Sequence, residues 1–224
     1  MKVRIKFSKE GPMKFIGHLD VMRYFQKAIR RAGIDIAYSA GFSPHQIMSF
    51  AAPLSVGFES QGEYFDIEMN SFTHEKDVKN RLNAVMAEGI EVLEVYVLPD
   101  QEGNAMASVA AASYLVSFRE SVILPADWKK QLISFYEQEH IPVVKKTKKG
   151  EKEMDLKEGI FHLEIQDDSV YLLVDAGSGS NVKPGFVLET FFNSIGISLP
   201  DFGLMVRRLE TYKRNNSGAL VPLI

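Results

Sequence analysis

Two histidines and a group of basic residues are the side chains here whose types and spacing could do chemistry. His18 and His45 are two of the five histidines, and both fall between Gly11 and Ser60, together with Arg23, Lys27, Arg30 and Arg31. His18 follows Gly17 at the mouth of an amphipathic run. The first backbone N–H groups of a helix have no intrahelical partner, so such a mouth is a natural anion pocket. A histidine there could touch a phosphate or move a proton near neutral pH, or it could simply cap the helix. His45 closes the loop Gly41-Phe42-Ser43-Pro44-His45. If the two rings converge, they could serve as base and acid on a phosphodiester, with Lys14 or Arg23 stabilising the charged phosphorane. Phe42 could stack a base, or it could plug a gap in the core.

The element that must position His18 is a helix. Leu19, Met22, Phe25, Ile29 and Ala32 recur at steps of three and four, which puts them on one helical stripe. Arg23, Lys27, Arg30 and Arg31 recur the same way on another face, and only Asp20, in the first turn, offsets them. Gly33 stops the run. Such a stripe binds something negative, or it is a solvated face.

A second basic run, Lys145, Lys146, Lys148, Lys149 and Lys152, surrounds Gly150 in a turn between two strand-like segments. It reads as a hairpin able to contact phosphate or RNA, or as a solvated turn diluted by Glu151, Glu153 and Asp155. Gly177-Ser178-Gly179-Ser180-Asn181 leads into a helix from Lys183 but lacks the lysine-serine/threonine ending of a phosphate-binding P-loop, so it reads as a connection. His74, His140 and His162 read as structural; no pair of histidines has metal-ligand spacing, and neither a metal nor a cofactor is indicated.

Composition bounds the function classes. The 224 residues suffice for one large domain or two small ones, and 46% hydrophobic residues allow a real core. A net charge of -3 argues against a wholesale polyanion binder, so any nucleic-acid contact must be a local patch. The chain has no cysteine, which removes disulfides, thiolate zinc sites and cysteine-ligated iron–sulfur clusters. No apolar stretch reaches the roughly 20 residues of a membrane span. The start, Met1 to Ile5, lacks a signal peptide's apolar run, so a cytoplasmic location with no membrane contact is expected.

Periodicity predicts an α+β fold. Val3, Ile5 and Phe7 alternate with Lys2, Arg4 and Lys6 as a strand with one buried and one wet face. Strand-like runs at 36–39 and 47–58, flanking or containing the Gly41–His45 loop and counted together, strands at 63–69 and 90–98, and helices at 18–32 and 75–88 give a βαββαβ order. With helices for one sheet face only, that is the ferredoxin-like arrangement. Arg4 and Lys6 are then expected to face Asp66 and Glu68 across the open side, in pairs worth about 0.2–1 kcal/mol each. Polar residues 101–110 read as a linker between a first unit, 1–100, and a second, 111–224. In the second, strands at 112–118, 141–144, 160–165, 170–174 and 204–212 and helices at 126–139 and 183–194 repeat the order. The expectation is two tandem ferredoxin-like units, the second with the extra basic hairpin.

Several of these residues carry a family resemblance. Gly17-His18-Leu19-Asp20, Arg30-Arg31-Ala32-Gly33, Tyr38 to His45, Pro53-Leu54 and Gly57-Phe58-Glu59-Ser60 look like the signature of the radical-SAM-linked bacterial family. Its members occur alone or fused behind a cobalamin-binding radical SAM protein. Thr147 to Gly150 with Lys152 and Asp155, Lys183-Pro184, and Arg207-Arg208 also fit, so the resemblance covers nearly the whole chain. It implies a radical SAM partner; without cysteine the chain cannot hold that enzyme's cluster by the usual thiolates and can only partner one.

Three functional expectations follow. The first is a non-catalytic accessory protein that binds tRNA or rRNA through Lys14, Arg23, Lys27, Arg30, Arg31, Phe42, Lys146, Lys148, Lys149 and Lys152. The second, by similarity of tandem ferredoxin-like units with a histidine at the first helix mouth, is a Cas6-like metal-independent RNA endonuclease using His18 and His45. The third is a scaffold docking proteins on the first helix. The nuclease needs one cleft in which His18, Arg23 and His45 meet Tyr38, Ser39, Gly41 and Pro44, facing Glu59 or Glu63.

Overall fold

The computed structural model describes residues 1–147, 150–179 and 181–224, without the side chains of Lys145, Lys146, Thr147 and Lys152. The expected RNA contacts at Lys146, Lys148, Lys149 and Lys152 therefore lie outside the described residues and side chains. Met1–Ala110 with Arg208–Ile224 make one compact unit, and Ala111–Arg207 another. The order of elements assigns all of 111–224 to the second unit; instead the last segment returns to the first.

In chain order the first unit contains β1 (Lys2–Lys9), α1 (His18–Arg31), β2 (Met48–Phe50), β3 (Glu59–Glu68), α2 (Glu75–Asn83), β4 (Ile90–Val97) and the short α3 (Ala105–Ser108). The second contains β5 (Ala111–Phe118), α4 (Trp128–Tyr136), β6 (Pro142–Thr147), β7 (Gly150–Asp155), β8 (Ile160–Gln166), β9 (Ser169–Asp175) and α5 (Pro184–Ser194). The chain re-enters the first unit through β10 (Leu204–Arg214) and closes with β11 (Leu220–Pro222). The result is a mixed α+β protein, and among the described residues no helix is long and apolar enough to cross a membrane.

In the first unit β1 lies between β4 and β3, antiparallel to both, and β2 pairs with β3 at Phe50↔Phe65 and Met48↔Ile67. Val3, Ile5 and Phe7 of β1 meet Phe65, Ile67 and Met69 and the buried faces of α1 and α2 in one core. Its centre is aromatic: Phe25 lies 4.7 Å from Phe7 and 4.6 Å from Phe65 between ring centroids. The buried stripe of α1 is Val21, Phe25, Ala28 and Ile29. Leu19, expected in it, is 64% exposed, because it stands four residues before Arg23 and so shares the cationic side of the helix rather than the side of Val21 and Phe25.

The supposedly wet face of β1 is covered. Arg4 is fully buried; its guanidinium forks onto Asp66 (Nε–Oδ1 2.8 Å, Nη2–Oδ2 3.1 Å) and donates to the carbonyls of Gly103 and Leu223. Asp66 also accepts from Ala105 N–H at 2.6 Å. Residues 101–110 are thus no open linker, since Ala105 is buried with Ala51, Tyr64 and Leu223. Nor does Glu68 face Lys6: the register sets Lys6 beside Tyr64, and Lys6 Nζ instead reaches Glu210 at 2.7 Å.

In the second unit β9 lies between β5 and β8, antiparallel to both. Residues 141–144, expected as a sheet strand, belong to a separate two-stranded hairpin of β6 and β7. Trp128, Leu132 and Phe135 of α4 are buried as their spacing predicts, and Phe191 and Phe192 of α5 are buried as well.

Candidate functional site

The polar centre of the first unit lies at the end of the sheet where β1 runs out and α1 begins. Positions 3, 5, 7 and 9 of β1 point towards the helices, so the alternation that buries Val3, Ile5 and Phe7 also buries Lys9, 2% exposed. On β3 the same phase runs through Met69, Ile67, Phe65 and Glu63, and Phe7 is paired with Glu63. From Phe7↔Glu63 to Lys9↔Ser60 the partner strand takes one residue more, a bulge that re-aims side chains at this end. Arg208, 5% exposed, completes the cluster: its Nη1 is 2.9 Å from Glu63 Oε1 and 3.3 Å from the carbonyl of Ala52.

Lys9, Glu63 and His18 line a small cavity with Phe7, Val21, Phe50, Ala52 and Leu54, with room for about a single water molecule. The His18 ring packs edge-on against Phe50 at 5.5 Å. Among the described residues no side chain caps α1, so His18 is not its cap; its N-cap is Gly17. Lys9 Nζ donates to the carbonyl of Lys14 at 3.3 Å. Burial holds the Lys9 pKa below its ordinary 10.5, and Arg208 adds to the lowering against the opposing pull of Glu63.

A lysine whose folded pKa lies below its unfolded value is a cost carried in full at low pH and relieved as pH rises through the folded pKa. Lys9→Met is therefore expected to leave the fold at least as stable near neutral pH, because Glu63 keeps Arg208. The difference from the wild type shrinks as pH rises towards 10.5. Urea unfolding across that range measures it; a loss of about 3 kcal/mol would show that Lys9 holds the fold together.

The expected single cleft is divided in two. Glu63 and His18 line the cavity, whereas none of residues 38–45 does. Glu59 stands apart, 3.3 Å from Lys14 Nζ and accepting from Gly11 N–H. His45 bonds Ser39 instead: Nδ1 lies 2.8 Å from Ser39 Oγ, which also accepts the His45 backbone N–H. Tyr38, Ser39, Gly41 and Pro44 belong to that loop; after it Gln46 donates to the carbonyl of Gln26 in mid-α1, and Phe50 packs on His18 at the helix mouth. The two histidines thus have different neighbours, Phe50 and the small cavity for His18 and Ser39 for His45.

The loop itself is well defined. Tyr38 bridges to Gln46, Ser39 N–H donates to the His45 carbonyl at 2.8 Å, and Gly41 takes a φ of +107°. Phe42 is fully exposed, which removes the alternative that it plugs the core. Arg23, Lys27, Arg30 and Arg31 are placed along α1 as their spacing predicts, with Arg23 and Lys27 exposed. Arg23 pairs with Asp20 at 3.4 Å, Arg30 Nε reaches the carbonyl of Gln26, and Arg31 reaches that of Val85. Elsewhere His74 caps α2, accepting from Asp77 N–H at 3.0 Å, and His140 lies 2.7 Å from Asp155.

The family model described as "Uncharacterized protein conserved in bacteria (DUF2344)" matches residues 2–184, from the start of β1 to the start of α5. The chain belongs to this family. No curated protein matches it. Among solved structures, a chain of the "Crystal Structure of a Cbf5-Nop10-Gar1 Complex" is similar over 93% of this chain, at 10% identity and a TM-score of 0.47. This chain spans about half (48%) of that chain's length.

Sequence reasoning missed Lys9 as a site residue and gave Arg208 no role. The signal for Lys9 was present, since it continues the inward phase of Val3, Ile5 and Phe7. Arg208 was marked only as part of the Arg207-Arg208 pair, and its partners lie about 150 positions earlier.

Proposed function

We propose that this protein is a non-catalytic partner of a radical SAM enzyme that contacts tRNA or rRNA through the basic face of α1. The radical SAM half rests on the sequence resemblance. The RNA half rests on one observation: Arg23, Lys27, Arg30 and Arg31 lie along a helix whose opposite side is core, with Asp20 the acidic residue paired into that row. In a chain of net charge -3, four cations on one short helix form the local patch that phosphate binding needs. We also read both units as ferredoxin-like. The β4-β1-β3 path with β2 on β3 supports this in the first, and the β5-β9-β8 path with α4 and α5 supports it in the second.

The test combines co-purification with a radical SAM protein and titration with total tRNA at two salt concentrations. Reversing Arg23, Lys27 and Arg30 to Glu is expected to weaken tRNA binding at least tenfold. It should also flatten the dependence of log K on log salt by about 0.7–0.9 for each phosphate no longer neutralised. Absence of any complex and of any salt-sensitive RNA binding overturns the proposal. Loss of protein association in Arg23→Glu/Lys27→Glu, with tRNA binding intact, assigns the helix to protein docking instead.

A further inference from the structure

We infer that the loop tip at Phe42 and the basic face of α1 form one site for single-stranded RNA, in which an unstacked base lies on Phe42 while its flanking phosphates meet Arg23, Lys27 and Arg30. This rests on the RNA reading above and narrows it to unpaired strands.

The first observation is a large aromatic side chain held in solvent by a built support. Residues 40–44 project from a neck closed by the Ser39–His45 hydrogen bonds and the Tyr38–Gln46 bridge. The φ of +107° at Gly41 gives the tip a turn that a residue with a Cβ adopts only with strain. Phe42 gains no burial from this arrangement. Tyr38, at the foot of the loop, is half exposed. The neck occupies His45 Nδ1, so the edge of that ring carrying Nε2 remains for a further polar partner.

The second observation joins loop and helix. Gln46, next after the neck, is buried and donates from Nε2 to the backbone carbonyl of Gln26 in the middle of α1. Its Oε1 has no hydrogen-bond partner among the described residues. At 3.6 residues per turn, Gln26 lies on the flank between the buried stripe and the row of Arg23 and Arg30, which are its neighbours three back and four on. The loop is therefore anchored beside the cations.

An exposed aromatic ring can stack on the flat face of a base, and paired bases in a duplex have both faces covered by their neighbours. Only an unpaired, splayed strand offers a free face to Phe42 together with phosphates on both sides of it. The row of cations on the helix to which the loop is anchored favours a polyanion over an uncharged partner.

Fluorescence anisotropy with labelled oligo(U), a duplex RNA of equal length and inorganic polyphosphate tests this. Wild-type protein is expected to bind oligo(U) more tightly than duplex. Phe42→Ala should weaken oligo(U) binding about tenfold and leave polyphosphate binding unchanged. Lys27→Glu/Arg30→Glu should weaken all three probes. Phe42 and both cations lie outside the core, so these variants retain the fold, and circular dichroism checks it. Equal binding of duplex and oligo(U), both indifferent to Phe42→Ala, overturns the single-strand inference while leaving RNA contact standing. Equal losses on oligo(U) and polyphosphate in Phe42→Ala overturn it too, since stacking cannot act on polyphosphate. Failure of every RNA to bind removes both.

Discussion

Asp66→Ala is expected to cost the first unit about 3–5 kcal/mol, enough to lower its melting temperature by roughly 10 °C. The reason is the charge left behind. Arg4 has no exposed surface, and its fork onto Asp66 supplies the negative charge that compensates it. Glu102, 3.8 Å away, is held by Lys213 and is too distant to replace a bidentate partner. Alanine also takes away the acceptor of Ala105 N–H, which is buried at the foot of α3. Removing both charges is milder: Arg4→Met/Asp66→Leu should recover much of the loss, since a buried pair exchanged for apolar residues of similar volume is often neutral or better. Thermal unfolding of the single and double variants decides it. A single variant within about 1 kcal/mol of wild type, the usual scatter of exposed pairs, would mean the Arg4 site is open to water.

Gly62→Val is expected to detach the returning C-terminal segment, at a cost of about 3 kcal/mol. A Cβ at Gly62 would stand 2.5 Å from Glu210 Cα and 2.8 Å from the Leu209 carbonyl oxygen, both backbone atoms of β10 that cannot rotate away. Pushing β10 off β3 also breaks the bond from Thr211 Oγ1 to the Gly62 carbonyl and loosens Lys6 and Tyr64 from Glu210. Because Arg208 lies on the same strand, its pair with Glu63 goes with it. Limited proteolysis reads the outcome directly: cleavage after Arg207 to Arg214 should become fast in the variant and stay slow in the wild type. Undiminished protection would show that the two strands can separate slightly without losing their pairing.

The two stripes of α1 show how far spacing reaches. The cationic row was legible because steps of three and four fix which side chains share a face, whatever the helix packs on. The apolar row drawn through Leu19 misses Val21, although Val21, Phe25, Ala28 and Ile29 follow helical spacing and Leu19, four residues before Arg23, falls with the cations. The loop 41–45 was likewise visible from its glycine and proline, but not its anchorage to Gln26. Spacing gave no hint that His18 packs on Phe50 while His45 bonds Ser39.

Taken alone, the sequence determined the mixed α+β character, the order of the first elements, the inward phase of β1 and β3, and the basic row of α1. Each depends on a local period of two or of 3.6 residues, which backbone geometry imposes before any tertiary contact forms. Only the tertiary structure decided the rest. That Arg4 is buried, that residues 101–110 pack rather than link, and that Arg208 closes the Lys9–Glu63 cluster all depend on the C-terminal segment returning to the first unit. Pairing across some 150 to 220 positions leaves no periodic trace in the chain, because its specificity lies in burial and hydrogen bonding made at the moment the segments meet.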